Sequence, residues 1–448
     1  MEIVPIVDTG LGNSSYLIDL GEGRGLVIDA ERDPTPYLAA AEARNLRLRW
    51  AVETHLHADF VSGGRELAAG GAQLLAPKAS DLAFDHFGLS DGDEVDLGGL
   101  TLRTIATPGH TPEHCSYLLT DGPNPLALFS GGTLIAGGVA RTDLITPELT
   151  EELARAAYRS IHDVLLALPD TLPVYPTHGA GSFCSTAASG ERTTTIGRER
   201  AANQLLQAVD EDDFVARLLG EYGSFPSYFL RLRDVNRSGP KVYGTEPPAL
   251  TALSPGQVAG LMSGDAEVVD ARPIGKFAAG HIPGSISIAF GESFASWLGW
   301  LVEPDREIVF VADSGQDLAD IVRQALKVGY ERFAGYLEGG IPAWIADDRS
   351  VEQLPVVAPM DIPDGAPIVD VRQQNEWDAG HVPDALHVEL GKVAEYTDRL
   401  PVDAVVHCSH GQRAMTAASL MQRAGLSGIA VSSAGAADII SNRANATP

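Results

Sequence analysis

The chain has 448 residues, 44% hydrophobic and 21% charged, which is long for one core and reads as two to four soluble globular domains. Its 32 Lys and Arg stand against 60 Asp and Glu, a net charge of −28 that repels nucleic acid and anionic membranes and excludes both as partners. No apolar run reaches membrane-spanning length, Met1-Glu2-Ile3-Val4-Pro5 lacks a signal-peptide layout, and three distant cysteines (Cys115, Cys184, Cys408) argue against disulfides, so a cytoplasmic location is expected.

Residues 15–19 and 25–29 read as apolar strands between Gly-rich turns, and a helix follows over 36–45. Trp50-Ala51-Val52 opens a strand that runs into Thr54-His55-Leu56-His57-Ala58-Asp59-Phe60, where a sharp turn lets two imidazoles and a carboxylate converge on one metal. A helix over 64–69 and strands over 72–75, 94–96 and 100–106 continue the alternation, which predicts layered strands with helices outside. Thr107-Pro108-Gly109-His110-Thr111-Pro112 then holds a histidine on a rigid turn. The strand 126–129 leads into Ser130-Gly131-Gly132-Thr133, and Val174-Tyr175-Pro176-Thr177-His178 ends another strand on a histidine. Four histidines at strand ends mark a metal site, with His55, His57, Asp59, His110 and His178 as candidate ligands. Residues 200–234, with Leu205, Leu206, Val209, Phe214, Val215, Leu218 and Leu219 at helical spacing, predict a helical appendix on the first domain. Residues 236–240 and 245–248 read as a linker.

The remainder repeats itself. Val269-Asp270-Ala271-Arg272 and Gly280-His281-Ile282-Pro283 recur as Val369-Asp370-Val371-Arg372 and Gly380-His381-Val382-Pro383, offset by 372 − 272 = 100 residues. Each unit reads as buried strands alternating with helices, a doubly wound α/β pattern. In the second unit Val405-Val406-His407 leads into Cys408-Ser409-His410-Gly411-Gln412-Arg413 and then a helix. A cysteine at a strand end before a helix N-terminus gains backbone N–H donors, and Arg413 adds a positive charge; both favour an anionic terminal sulfur. Cys408 and Arg413 are therefore the candidate catalytic pair, with Ser409, His410, Gly411 and Gln412 as the substrate-binding loop.

On the phrases around His55, His110, 138–143 and 175–181, residues 1–240 resemble the αββα metallo-β-lactamase superfamily, and within it the persulfide dioxygenase branch related to glyoxalase II. On Cys408-x-x-Gly411-x-Arg413, residues 250–350 and 360–448 resemble two rhodanese domains; Ala312 and Asp317 stand for the cysteine and arginine in the first copy, which is expected to be inactive. The order is similar to bacterial persulfide dioxygenase–rhodanese fusions. That resemblance implies sulfide detoxification in which a low-molecular-weight persulfide, of the glutathione, coenzyme A or bacillithiol type, is oxidised with O2 at one Fe(II) to sulfite. Cys408 would then pass sulfane sulfur to sulfite, giving thiosulfate. A homo-oligomer is compatible with the chain. Two positions depart from the family: Phe60 stands where a histidine is usual, and Gly132 where the iron-ligating aspartate is usual. Three outcomes follow for the metal: an all-histidine face of His55, His57 and His110; substitution by Asp59 or His178; or loss of metal from a domain kept as a scaffold. The corresponding alternatives are a sulfurtransferase alone and a zinc-dependent thioester hydrolase of the glyoxalase II kind.

Overall fold

In the computed structural model the described residues are 1–185 and 190–446; the last two residues of the domain expected over 360–448 lie outside them. The chain forms two compact units, Met1–Pro247 with Leu326–Gly329, and Pro248–Ala325 with Tyr330–Pro448.

The first unit holds two six-stranded sheets. One runs in chain order through Glu2–Asp8, Asn13–Asp19, Arg24–Ile28, Arg47–Val52, Gln73–Pro77 and Phe87–Leu89 (β1 to β6). The other contains Glu94–Asp96, Thr101–Ala106, Cys115–Asp121, Asn124–Gly131, Pro173–Pro176 and Thr194–Thr195 (β7 to β12). Strand alternation assigns each apolar residue to a layer. Tyr16, Ile18, Leu26, Ile28, Tyr117, Leu119 and Phe129 meet between the sheets. Their odd-phase neighbours Leu17, Val27 and Ala51 face the opposite way, onto Tyr37, Ala41 and Leu67 of the helices Thr35–Glu42 and Gly64–Ala69. Leu118, Leu128 and Val174 likewise pack outward on Ala154, Ala157 and Phe214 of Thr150–Arg159 and Glu211–Gly220. Three apolar interfaces between four layers make an αββα sandwich. Each fully buried aliphatic side chain contributes roughly 1.5–3 kcal/mol to it.

The helical appendix is present with two differences. Val209 is 84% exposed, because the chain breaks between a short 3-10 turn and the helix Glu211–Gly220, whose Asp210 side chain caps it. Residues 236–238, read as linker, belong to the helix Phe229–Ser238, and Asn236 is buried.

The second unit contains two five-stranded parallel sheets. The first comprises Ala252–Leu253, Glu267–Asp270, Ile286–Ser287, Ile308–Val311 and Phe333–Leu337 (β13 to β17), ordered β13-β17-β16-β14-β15. The second comprises Val356–Val357, Ile368–Asp370, Leu386–His387, Val405–His407 and Ala430–Ser432 (β18 to β22), ordered β18-β22-β21-β19-β20. The same strand order appears twice, as the repeat predicts. Helices cover the sheets, as central strands buried on both faces require; β16 and β21 are buried throughout. Among the described residues no helix is long and apolar enough to cross a membrane.

Candidate functional site

All five residues expected to hold metal come together at the strand ends, in two trios that share His178. His55 follows β4, His110 follows β8 and His178 follows β11, and their ligand atoms lie within 4.8 Å of one another. Each ring is oriented by a hydrogen bond on Nδ1. His110 Nδ1 donates to the Arg141 carbonyl at 2.6 Å, which leaves Nε2 as a bare, buried lone pair with no hydrogen-bond partner. His178 Nδ1 donates to Asn13 Oδ1 at 2.9 Å, and the Asn13 amide donates to Asp59 Oδ2 at 2.8 Å. Thr54 gives its hydroxyl proton to Asp29, so its Oγ1 accepts from His55 Nδ1 at 2.8 Å. The Nε2 atoms of His55 and His178 then face each other at 3.4 Å. Burial, reinforced by the neighbouring imidazoles, holds His55 and His110 well below the ordinary histidine range, so both rings are neutral. Three oriented imidazoles with converging Nε2 atoms fit a metal ion of the zinc or iron class.

His57 is turned differently. Its Nε2 lies 3.3 Å from both Asp29 and Glu53, and its ring stacks on Phe60 at 4.2 Å. Burial opposes a charge there, but Asp29 and Glu53 outweigh it and raise the imidazole to about 10. Asp59 keeps one buried oxygen, Oδ1, without a hydrogen-bond partner, and it groups with His57 and His178 within 4.8 Å.

Gly132 is closed to any side chain. A Cβ there would stand 2.6 Å from His110 Cδ2 and 3.1 Å from the Ala140 methyl. Its N–H donates instead to Nε2 of His114 at 3.0 Å, and His114 stacks on His55 with ring centres 5.0 Å apart. His114 sits in the motif read around His110 but carried no assignment from sequence. The helix Phe229–Ser238 fastens the same loop: Asn236 donates to the carbonyls of His57 and Phe60, and Arg233 pairs with buried Glu113, which accepts from Leu56 N–H. Residues so distant in sequence leave no local signal.

In the second unit Cys408 directly follows β21 and is 2% exposed. The Gly411 N–H donates to its Sγ at 3.1 Å. Gly411 has φ +83 and starts the helix Gln412–Arg423, so the left-handed turn that aims this N–H at sulfur requires glycine. His410 and Gln412 are exposed, Ser409 is half-buried, and Arg413 lies along the loop. The Arg413 guanidinium is held by both oxygens of Glu376, at 2.5 and 2.8 Å, and by Ser409 Oγ at 3.2 Å. Glu376 was not foreseen; the available sign was its place four residues after Arg372, in a turn the repeat marks out. Beneath the loop Arg372 grips Asp370 through Nε and Nη2, at 2.9 and 2.6 Å, and Arg272 grips Asp270 at the same distances in the first copy.

The metallo-beta-lactamase superfamily matches residues 8–178, and the rhodanese-like domain matches twice, at 254–347 and 356–441. The chain is 32% identical over 187 residues to human persulfide dioxygenase ETHE1, covering 40% of this chain and 68% of that protein. It is 34% identical over 209 residues to the hydroxyacylglutathione hydrolase of Rhodopseudomonas palustris, covering 46% of this chain and 74% of that one. A crystal structure of a metallo-beta-lactamase from Staphylococcus aureus aligns with a TM-score of 0.65 at 29% identity, over 75% of this chain and 98% of the other. The chain therefore belongs to the metallo-β-lactamase superfamily, as an enzyme in which a persulfide dioxygenase-like domain is joined to two tandem rhodanese domains.

Proposed function

We propose that this enzyme oxidises a low-molecular-weight persulfide and transfers sulfane sulfur through Cys408. The observation that carries the reading is the set of converging, oriented Nε2 lone pairs of His55, His110 and His178. These three would hold one Fe(II), with Asp59 beside them; zinc suits the same donors. When bound, iron supplies a centre at which O2 and the persulfide sulfur can meet, and the net reaction is RSSH + O2 + H2O giving RSH, sulfite and two protons. The chain's part is to aim the rings, through Arg141, Asn13 and Thr54.

At the second centre the Cys408 thiolate attacks the terminal sulfur of a persulfide. The carrier S–S bond breaks, the carrier leaves as its thiol, and Cys408 keeps a persulfide. Sulfite then takes that sulfur, giving thiosulfate and regenerating the thiolate. The Gly411 N–H supports negative charge on sulfur, and Arg413, positioned by Glu376, supplies the counter-charge. Glutathione, coenzyme A and bacillithiol remain alternative carriers.

The test is oxygen uptake by the iron-reconstituted chain with glutathione persulfide, with metal content measured on the same sample. One iron per chain and persulfide-dependent uptake are expected, both lost in His110→Ala. The closed space at Gly132 favours a second reading, a sulfurtransferase with a metal-free scaffold domain. Iron-free, silent protein that still transfers sulfur would select it, and thioester hydrolysis by a zinc-loaded chain would select the hydrolase instead.

A further inference from the structure

The first rhodanese copy, with Ala312 and Asp317 where the second has Cys408 and Arg413, contains a cavity of about 580 Å³, within the roughly 300–1,000 Å³ of small-molecule sites. It lies where the second copy has its active loop. Ala312 follows β16 as Cys408 follows β21, and Ala271 N–H donates to Val311 as Val371 N–H donates to His407.

The polar groups around it are not those of an oxoanion site. The repeat offsets put Lys276 at the position of Glu376 (376 − 276 = 100) and Asp317 at that of Arg413 (413 − 317 = 96), so the ion pair of the active copy is reversed in sign. Asp317 accepts from Ala319 N–H at the start of the following helix. Loop donors that would cradle an anion are taken internally: Asp313 N–H by the Gln316 carboxamide at 2.7 Å, and Ser314 N–H by the Asp313 carboxylate at 3.2 Å. Arg272, on the wall, is neutralised by Asp270. The unpaired charged groups on the lining are one exposed ammonium, Lys276, and one carboxylate, Asp313, beside Ser314, Gln316 and Tyr336 and an apolar wall that includes Ile341, Pro342 and Val351.

We propose that this cavity binds an amino-acid-like zwitterion with an apolar body, its carboxylate toward Lys276 and its ammonium toward Asp313, without turning it over. The lining supplies both charges and a nonpolar surface, and the volume exceeds what an inorganic sulfur anion fills. The cavity is thus a binding site distinct from Cys408 and from the histidine cluster.

The probe is phenylalanine, an α-amino-acid zwitterion with an apolar side chain and no sulfur, titrated calorimetrically into the full chain. Binding is read without turnover, so the result is independent of whether the sulfur chemistry proposed above is correct. Saturable binding is expected, with affinity falling about tenfold in Lys276→Glu and the site lost in Ala312→Trp, which fills the cavity floor; His110→Ala and Arg413→Ala retain it. Absence of saturable binding, or binding unchanged in both Lys276→Glu and Ala312→Trp variants that keep the parental melting temperature, overturns the proposal. Thiosulfate binding that Ala312→Trp abolishes would overturn it too, by showing an anion site.

Discussion

Gly132 shows how one residue bears on the metal. A carboxylate at this position is what the family pattern leads one to want, yet the space for its Cβ is occupied by the His110 ring at 2.6 Å. Gly132→Asp must therefore push His110 off its bond to Arg141, an overpacking of about 1–3 kcal/mol. The expected outcome is less bound iron and a lower melting temperature than the parent, measured by metal analysis and calorimetry on matched samples. Raised iron content and faster oxygen use would show instead that His110 yields and the glycine is a defect. His57 makes a related point. A His-x-His phrase cannot say which way each ring turns, and it is the buried carboxylates of Glu53, four residues before, and Asp29, on another strand's end, that claim this one.

At the scale of elements, the Cys408 loop is held by a neighbour rather than by itself. The short helix Gln374–Asp378 presents Glu376, which ties Arg413 and Ser409 into one cluster. Glu376→Ala is expected to lower thiosulfate:acceptor transfer at least tenfold, chiefly in kcat, while hydrogen exchange over 408–413 quickens; transfer at the parental rate would mean the loop needs no latch. The pair also sets a pH window. Burial alone would raise the Glu376 carboxyl, but its bonds to Arg413 and the guanidinium charge more than reverse this and hold it below the ordinary range. A depressed carboxyl stabilises the fold above its unfolded value of about 4.3 and loses that effect as pH falls through the folded value. Exchange protection of the loop, corrected for intrinsic rates, should thus be constant from pH 5 to 8 and fail only below about pH 4. The strands beneath were legible from sequence because Asp-x-Arg and its 100-residue recurrence are local patterns; Glu376 was not, because its partner lies 37 positions away.

For the whole molecule, a net charge of −28 works against its own proposed substrates, since persulfide, sulfite and thiosulfate are all anions. Screening that field should help encounter: kcat/KM for thiosulfate is expected to rise severalfold between about 0.02 and 0.2 M ionic strength, as the Debye length shortens to below 10 Å. A fall would mean that the local charge of Arg413 dominates the approach. The layered α/β architecture, the repeat, the Cys408 loop and the histidines at strand ends were all determined by sequence alone, because alternation, tandem offset and turn chemistry act over a few residues. Tertiary structure alone decided that His178 joins His55 and His110 while His57 also meets Asp29 and Glu53, that Asn236, Arg233 and Glu113 fasten the loop, that Gly132 has no room for a carboxylate, and that the first rhodanese copy contains a cavity. Each depends on which buried polar atoms find one another in the folded chain, at separations from 4 residues for Glu53 and His57 to 179 for His57 and Asn236, or on what space neighbouring side chains leave, and no local pattern records either.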